Sequence, residues 1–119
     1  MTHAQKPTIY GIRQCDTMKK ARLWLDQHHI DYAFHDYKLL GIDQATLRNW
    51  CAVLGWEMVI NRSGTTFRRM PETERNNLSE TLALQWMVLQ PSMIKRPVLA
   101  HQGKLILGFK AEQYQQFFI

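Results

Sequence analysis

The chain has 119 residues, 45% of them apolar, with two cysteines and a net charge of +5 from 15 Lys+Arg against 10 Asp+Glu. That length fits one domain, the apolar share excludes a disordered chain, and two cysteines exclude a disulfide-built secreted scaffold. The longest apolar stretches, such as Leu82–Leu89, are broken by Gln85 and fall short of the roughly 18 residues that suggest a membrane span.

Thr8–Ile12 follows Pro7 and reads as a short strand. Asp16–His29 reads as a helix, because Met18, Ala21, Leu25 and His28 recur at helical spacing with Trp24 beside them. Ala33–Tyr37 alternates as a second strand. A helix-length connection between two strands predicts a right-handed βαβ unit with a parallel pair. Asp43 is a good N-cap for a helix striped by Leu47, Trp50, Cys51 and Leu54, and Gly55 is placed to close it. Glu57–Glu74 is less regular, with a helical turn at Met58–Asn61 and a turn signal at Ser63-Gly64. Ser79 caps a helix with Leu82, Ala83, Trp86, Met87 and Gln90 on one side, and Pro91 stops it. Val98–His101, a Gln102-Gly103 turn and Leu105–Leu107 form an antiparallel hairpin. Ala111–Phe118 is a closing amphipathic helix through Tyr114, Phe117 and Phe118. The expected fold is α/β: a mixed four-stranded sheet, βαβ then ββα, with a helical insertion at about 43–90 inside a single domain 1–119.

The N-terminal Met-Thr-His-Ala-Gln-Lys-Pro lacks an apolar core, so no secretory signal, no membrane association and a reducing, cytoplasmic setting are expected. The positive balance favours an anionic partner or substrate. The bases are dispersed, as Arg13, then Lys19, Lys20 and Arg22, then Arg62, Arg68, Arg69 and Arg75, then Lys95 and Arg96. A dispersed set with no groove-reading motif argues against direct nucleic-acid binding.

Cys15 stands out. It lies between a strand and a helix, at the unpaired N–H groups and the positive end of the helix dipole. Both favour a thiolate, and such positions lower a cysteine pKa from about 8.5 to between roughly 3.5 and 7.5. Arg13, Lys19 and Lys20 add positive charge. Cys51, on the apolar stripe of its helix, reads as a buried structural thiol. The position three residues after Cys15 is Met18, so there is no CxxC pair. The two cysteines and five histidines have no metal-ligand spacing, so no bound metal or other resident cofactor is expected. An X-Pro bond stands before a strand at Arg96-Pro97, and Met58-Val-Ile-Asn-Arg62 places a lone arginine after an apolar turn.

Four stretches together resemble the arsenate reductase/Spx (ArsC-like) family, and most nearly its YffB branch of small thiol proteins. They are Tyr10-Gly-Ile-Arg-Gln-Cys15-Asp-Thr-Met-Lys-Lys-Ala21, Ile60-Asn61-Arg62, Ile94-Lys95-Arg96-Pro97-Val98 and Leu107-Gly108-Phe109. The resemblance runs in register from Thr8 to about Phe118. It implies a thioredoxin-like fold, with Cys15 as the nucleophile and Pro97 as the cis-proline that faces it. It implies that Arg62 and Arg96 hold an oxyanion or a glutathione carboxylate. Arg13, Gln14, Lys95, Pro97 and Gly108 are the neighbouring positions expected to contact substrate or glutathione. Glutathione is the implied co-substrate and glutaredoxin a possible partner, acting on a small anionic or thiol substrate. The place of the third arginine of the glutathione-linked arsenate reductases is occupied here by Gly108-Phe109 or their neighbours. An oxyanion held by two arginines lacks charge-assisted hydrogen bonds of roughly 1.5–3 kcal/mol each, which weighs against arsenate as the natural substrate. The alternative the resemblance implies is an Spx-like adaptor that contacts RNA polymerase without turnover.

Overall fold

In chain order the elements are β1 (Thr8–Gly11), α1 (Asp16–Gln27), β2 (Ala33–Asp36), α2 (Tyr37–Leu40), α3 (Gln44–Leu54), α4 (Trp56–Val59), α5 (Thr65–Arg68), α6 (Glu72–Asn76), α7 (Glu80–Leu89), a 3-10 turn (Pro91–Met93), β3 (Val98–His101), β4 (Lys104–Leu107) and α8 (Ala111–Phe118). The structure is a computed structural model that describes residues 6–119, so most of the stretch read for a leader lies outside the described residues. The described chain up to Asp36, together with Arg96–Ile119, forms one compact unit, and Tyr37–Lys95 forms another.

The first unit holds the sheet, in the order β2-β1-β3-β4. β1 runs parallel to β2, with Ile9 opposite Phe34. β3 lies antiparallel to β1, with Ile9 opposite Leu99. β4 returns antiparallel beside β3. This is the thioredoxin-like βαβ–ββα arrangement. The Gln102-Gly103 turn works because both residues accept positive φ, 52° and 77°, as the tightest hairpin turns require. Ile9, Met18, Ala21, Leu25, Leu99 and Tyr114 are fully buried in one cluster with Trp24. Burial of each large apolar side chain contributes about 1.5–3 kcal/mol. Tyr114 brings α8 into the cluster, edge-on to Trp24 at 5.5 Å and to Phe109 at 4.8 Å.

The second unit is helical. The Asp43 carboxylate accepts from the Thr46 amide (3.2 Å) and the Ser79 hydroxyl from the Leu82 amide (3.2 Å), so both expected caps form. Gly55 closes α3 at φ 89°, its N–H donating to the Cys51 carbonyl at 2.9 Å. Leu47, Trp50, Cys51, Val59, Ile60, Met87 and Ile94 are buried. α3 packs on α4 and α7.

Three details depart from the sequence expectation. β2 ends at Asp36, and Tyr37, read as strand, opens α2 and is buried at 1% exposure. The helical unit therefore starts earlier and ends later than the expected 43–90. His28, read on the buried stripe of α1, is exposed; it stacks on Trp24 at 3.8 Å, and its Nδ1 lies 2.8 Å from the Trp24 carbonyl. The irregular stretch after Gly55 resolves into three short helices, α4 to α6. Among the described residues no helix is long and apolar enough to cross a membrane.

Candidate active site

Cys15 is the N-cap of α1, with extended backbone at φ −80°, ψ 130°. Its amide donates to the Ile12 carbonyl at 3.2 Å, and its carbonyl accepts from the Lys19 amide at 3.0 Å. The first bond closes a turn whose two corners are Arg13 and Gln14. The second starts the helix. Cys15 is thereby fixed at both ends while its side chain stays half-buried.

Burial works against ionisation of this thiol, but the opposing influences win and its pKa is lowered. The Met18 and Thr17 amides lie toward the sulfur, though neither makes a full capping bond. The Arg96 side chain adds a hydrogen-bond donor and a positive charge. A helix start and a neighbouring cation are the environment that makes a thiolate available near neutral pH. Cys51 is the opposite case. Burial, with the Glu80 charge behind it, pushes its thiol up to about 11. The sequence distinction between a reactive and a structural cysteine therefore has a physical basis in each unit.

Arg96 precedes Pro97 through a cis peptide bond, as the resemblance implied. The Pro97 carbonyl is occupied by the Gly108 amide at 2.8 Å. Gly108 sits at φ 78°, a left-handed conformation that other residues adopt at a cost, so its contribution is backbone shape. Cys15, Arg96, Pro97 and Gly108 thus belong to one unit, in which the Arg96 side chain favours the Cys15 thiolate. Arg13 and Gln14 are exposed in the turn leading into Cys15. The Arg13 guanidinium carbon lies 5.3 Å from the centre of the Phe34 ring, a contact that spacing along the chain does not foretell.

Arg62 and Lys95 belong to the second unit. Arg62 is exposed, with its guanidinium 6.0 Å from the Trp56 ring centre. The segment before it is pinned by an Ile60–Ile94 bridge and by the Asn61 amide donating to the Met93 carbonyl at 2.6 Å. The Asn61 side chain then accepts from the Ser63 amide and hydroxyl at 3.2 and 2.8 Å. Lys95 donates its amide to the Val59 carbonyl at 2.8 Å and is half-buried. Arg75, one of the dispersed bases, donates to the Arg68 carbonyl at 2.9 Å, where α5 ends. Among the described residues no group of His, Cys, Asp or Glu side chains is arranged to hold a metal ion.

The ArsC family pattern matches residues 10–117, from the strand before Cys15 to the last helix. The chain belongs to the ArsC family. Among solved structures it is similar to a YffB protein, 53% identical, with a TM-score of 0.90 over 93% of this chain and 97% of that one. An arsenate reductase (ArsC) related protein from Brucella melitensis is 52% identical, with a TM-score of 0.77 over 99% and 98% of the two chains. The global transcriptional regulator Spx of Lactiplantibacillus plantarum is 23% identical over 92% of this chain and 83% of its own length. The ArsC family assignment extends across both compact units.

Proposed function

We propose that this ArsC-family chain is a glutathione-using thiol reductase with Cys15 as its nucleophile. The observation that supports it is the Cys15 environment: a thiol at a helix start, beside Arg96, with a lowered pKa. In the first step the Cys15 thiolate attacks the glutathione sulfur of a mixed disulfide. A Cys15–glutathione disulfide forms, and the substrate sulfur leaves as a thiolate and takes up a proton. In the second step a glutathione thiolate attacks that glutathione sulfur. Oxidised glutathione leaves and the Cys15 thiolate returns. Glutaredoxin is the alternative source of the second thiol. Arg96 holds the thiolate in this reading. With Gly108-Phe109 in place of a third arginine, arsenate is a poor substrate.

Intact-mass analysis after exposure to oxidised glutathione tests this reading. One glutathione adduct on the wild type and none on Cys15→Ser is the expected result. No adduct, or an adduct on Cys51, overturns it. The similarity to Spx supports a second reading, an adaptor for RNA polymerase. Tight polymerase capture that is unchanged by Cys15→Ser, with no glutathione turnover, would put that reading first.

A further inference from the structure

One aromatic ring in the first unit carries two cations. The Arg13 guanidinium carbon is 5.3 Å and that of Arg22 4.6 Å from the centre of the Phe34 ring. Arg22 is further fixed by donating its Nε–H to the Tyr32 hydroxyl at 3.2 Å. Neither arginine has a carboxylate at ion-pair distance among the described residues. Two guanidinium groups held on one ring repel each other, and stacking offsets only part of that repulsion. What the arrangement lacks is an anion. Arg13 stands at the corner of the turn that ends in Cys15, Arg22 lies further along α1, and Phe34 is on β2, an edge strand of the sheet. The two cations therefore meet over a ring of an edge strand, one of them from the turn that ends in the reactive sulfur and the other from α1. A guanidinium over a ring keeps edge N–H donors for a carboxylate, and Arg22, with its Nε–H on Tyr32, has those of its terminal nitrogens. An edge strand beside it suits an extended polypeptide more than a small ion.

We infer that the Arg13–Phe34–Arg22 stack is a docking site for an acidic polypeptide, one whose disulfide or mixed disulfide is flanked by Asp or Glu. This deepens the thiol-reductase reading and rests on it for the identity of the reacting group. The docking itself is separable from the chemistry, because it does not require the Cys15 sulfur.

The test uses the full chain carrying Cys15→Ser and two synthetic peptides that differ only in Asp/Glu against Asn/Gln around a central serine. The acidic peptide should bind tighter, and the difference should shrink at high salt, as exposed charge pairs do. Arg13→Gln with Arg22→Gln should weaken acidic-peptide binding about fivefold, each exposed pair being worth a few-fold. The same change at Arg48, an exposed cation of α3, should leave the preference intact. Equal binding of the two peptides, or an acidic preference that the double substitution leaves untouched, overturns the inference. So does an equal loss for S-methylglutathione, which would make the site a small-ligand carboxylate site. Failure of the reductase reading shows separately, as absence of the glutathione adduct on the wild-type chain.

Discussion

At the scale of single residues, two cysteines of one chain have been driven in opposite directions. Alkylation of the native protein near pH 6 should label Cys15 well ahead of Cys51, read by peptide mass. Equal labelling would contradict both environments. Arg96→Ala removes a donor and a charge from the Cys15 sulfur. It should slow mixed-disulfide formation by about ten- to a hundredfold, the equivalent of roughly 1.5–3 kcal/mol for a lost charged contact, and raise the pH at which Cys15 reacts. A rate and pH profile equal to wild type would remove Arg96 from the site. Cys51 gives a test in stability. Its folded pKa lies above its unfolded value, so at alkaline pH the unfolded chain loses the proton first and stability falls as pH rises. That loss should develop from about 9 towards about 11. Urea midpoints across that range should fall less steeply in Cys51→Ala than in the wild type, although the variant starts less stable for lack of the buried sulfur. Cys15 was legible from its position between strand and helix. The Arg96 contact was not, because a partner in a distant bend before β3 leaves no local pattern, and only the family resemblance pointed there. The bond from Arg75 to the end of α5 was missed for the same reason, since a single exposed arginine looks alike whether it is paired or not.

At the scale of elements, β1, α1, the hairpin and the caps of α3 and α7 were legible because each rests on local chemistry: a periodicity, a capping oxygen, a turn that needs positive φ. The short helices α2, α5 and α6 were not resolved in the sequence, and α4 was read only as a helical turn at Met58–Asn61. Four or five residues are too few to show a helical period, and helices so short depend on tertiary contacts such as the Ile60–Ile94 bridge. The seat of α1 on the sheet turns on one glycine. A Cβ on Gly11 would strike the Met18 sulfur, and Met18 is fully buried, so the thioether has nowhere to swing. Gly11→Ala should therefore cost about 1–3 kcal/mol, the usual range for overpacking a full core. Chemical denaturation measures it, and an unchanged midpoint would mean that the core yields at that point. Met18 stands where a CxxC pair would carry its second cysteine. In this chain that position is core, closed against β1.

At the scale of the whole molecule, the two units differ in how the chain enters them. Tyr37–Lys95 is continuous and built of helices, whereas the sheet joins β1 near one end of the chain to β3 near the other. Local contacts form quickly and non-local strand pairing slowly, and closing a long loop adds an entropic cost that must be met before the pairing is gained. During refolding, amides of α3 and α7 should gain protection from hydrogen exchange before those of β1 and β3. The reverse order in a pulsed-exchange experiment would contradict the topological argument. The thiol and its arginine lie on opposite sides of that closure, Cys15 after β1 and Arg96 before β3. A chain emerging from the ribosome carries Cys15 long before Arg96 exists to hold its thiolate. Until the last strands are made and placed, the sulfur lacks its cationic neighbour and ionises less readily. The Met18 and Thr17 amides of α1 favour the thiolate as soon as that helix forms, and Arg96 adds its share only once the segment before β3 is in place.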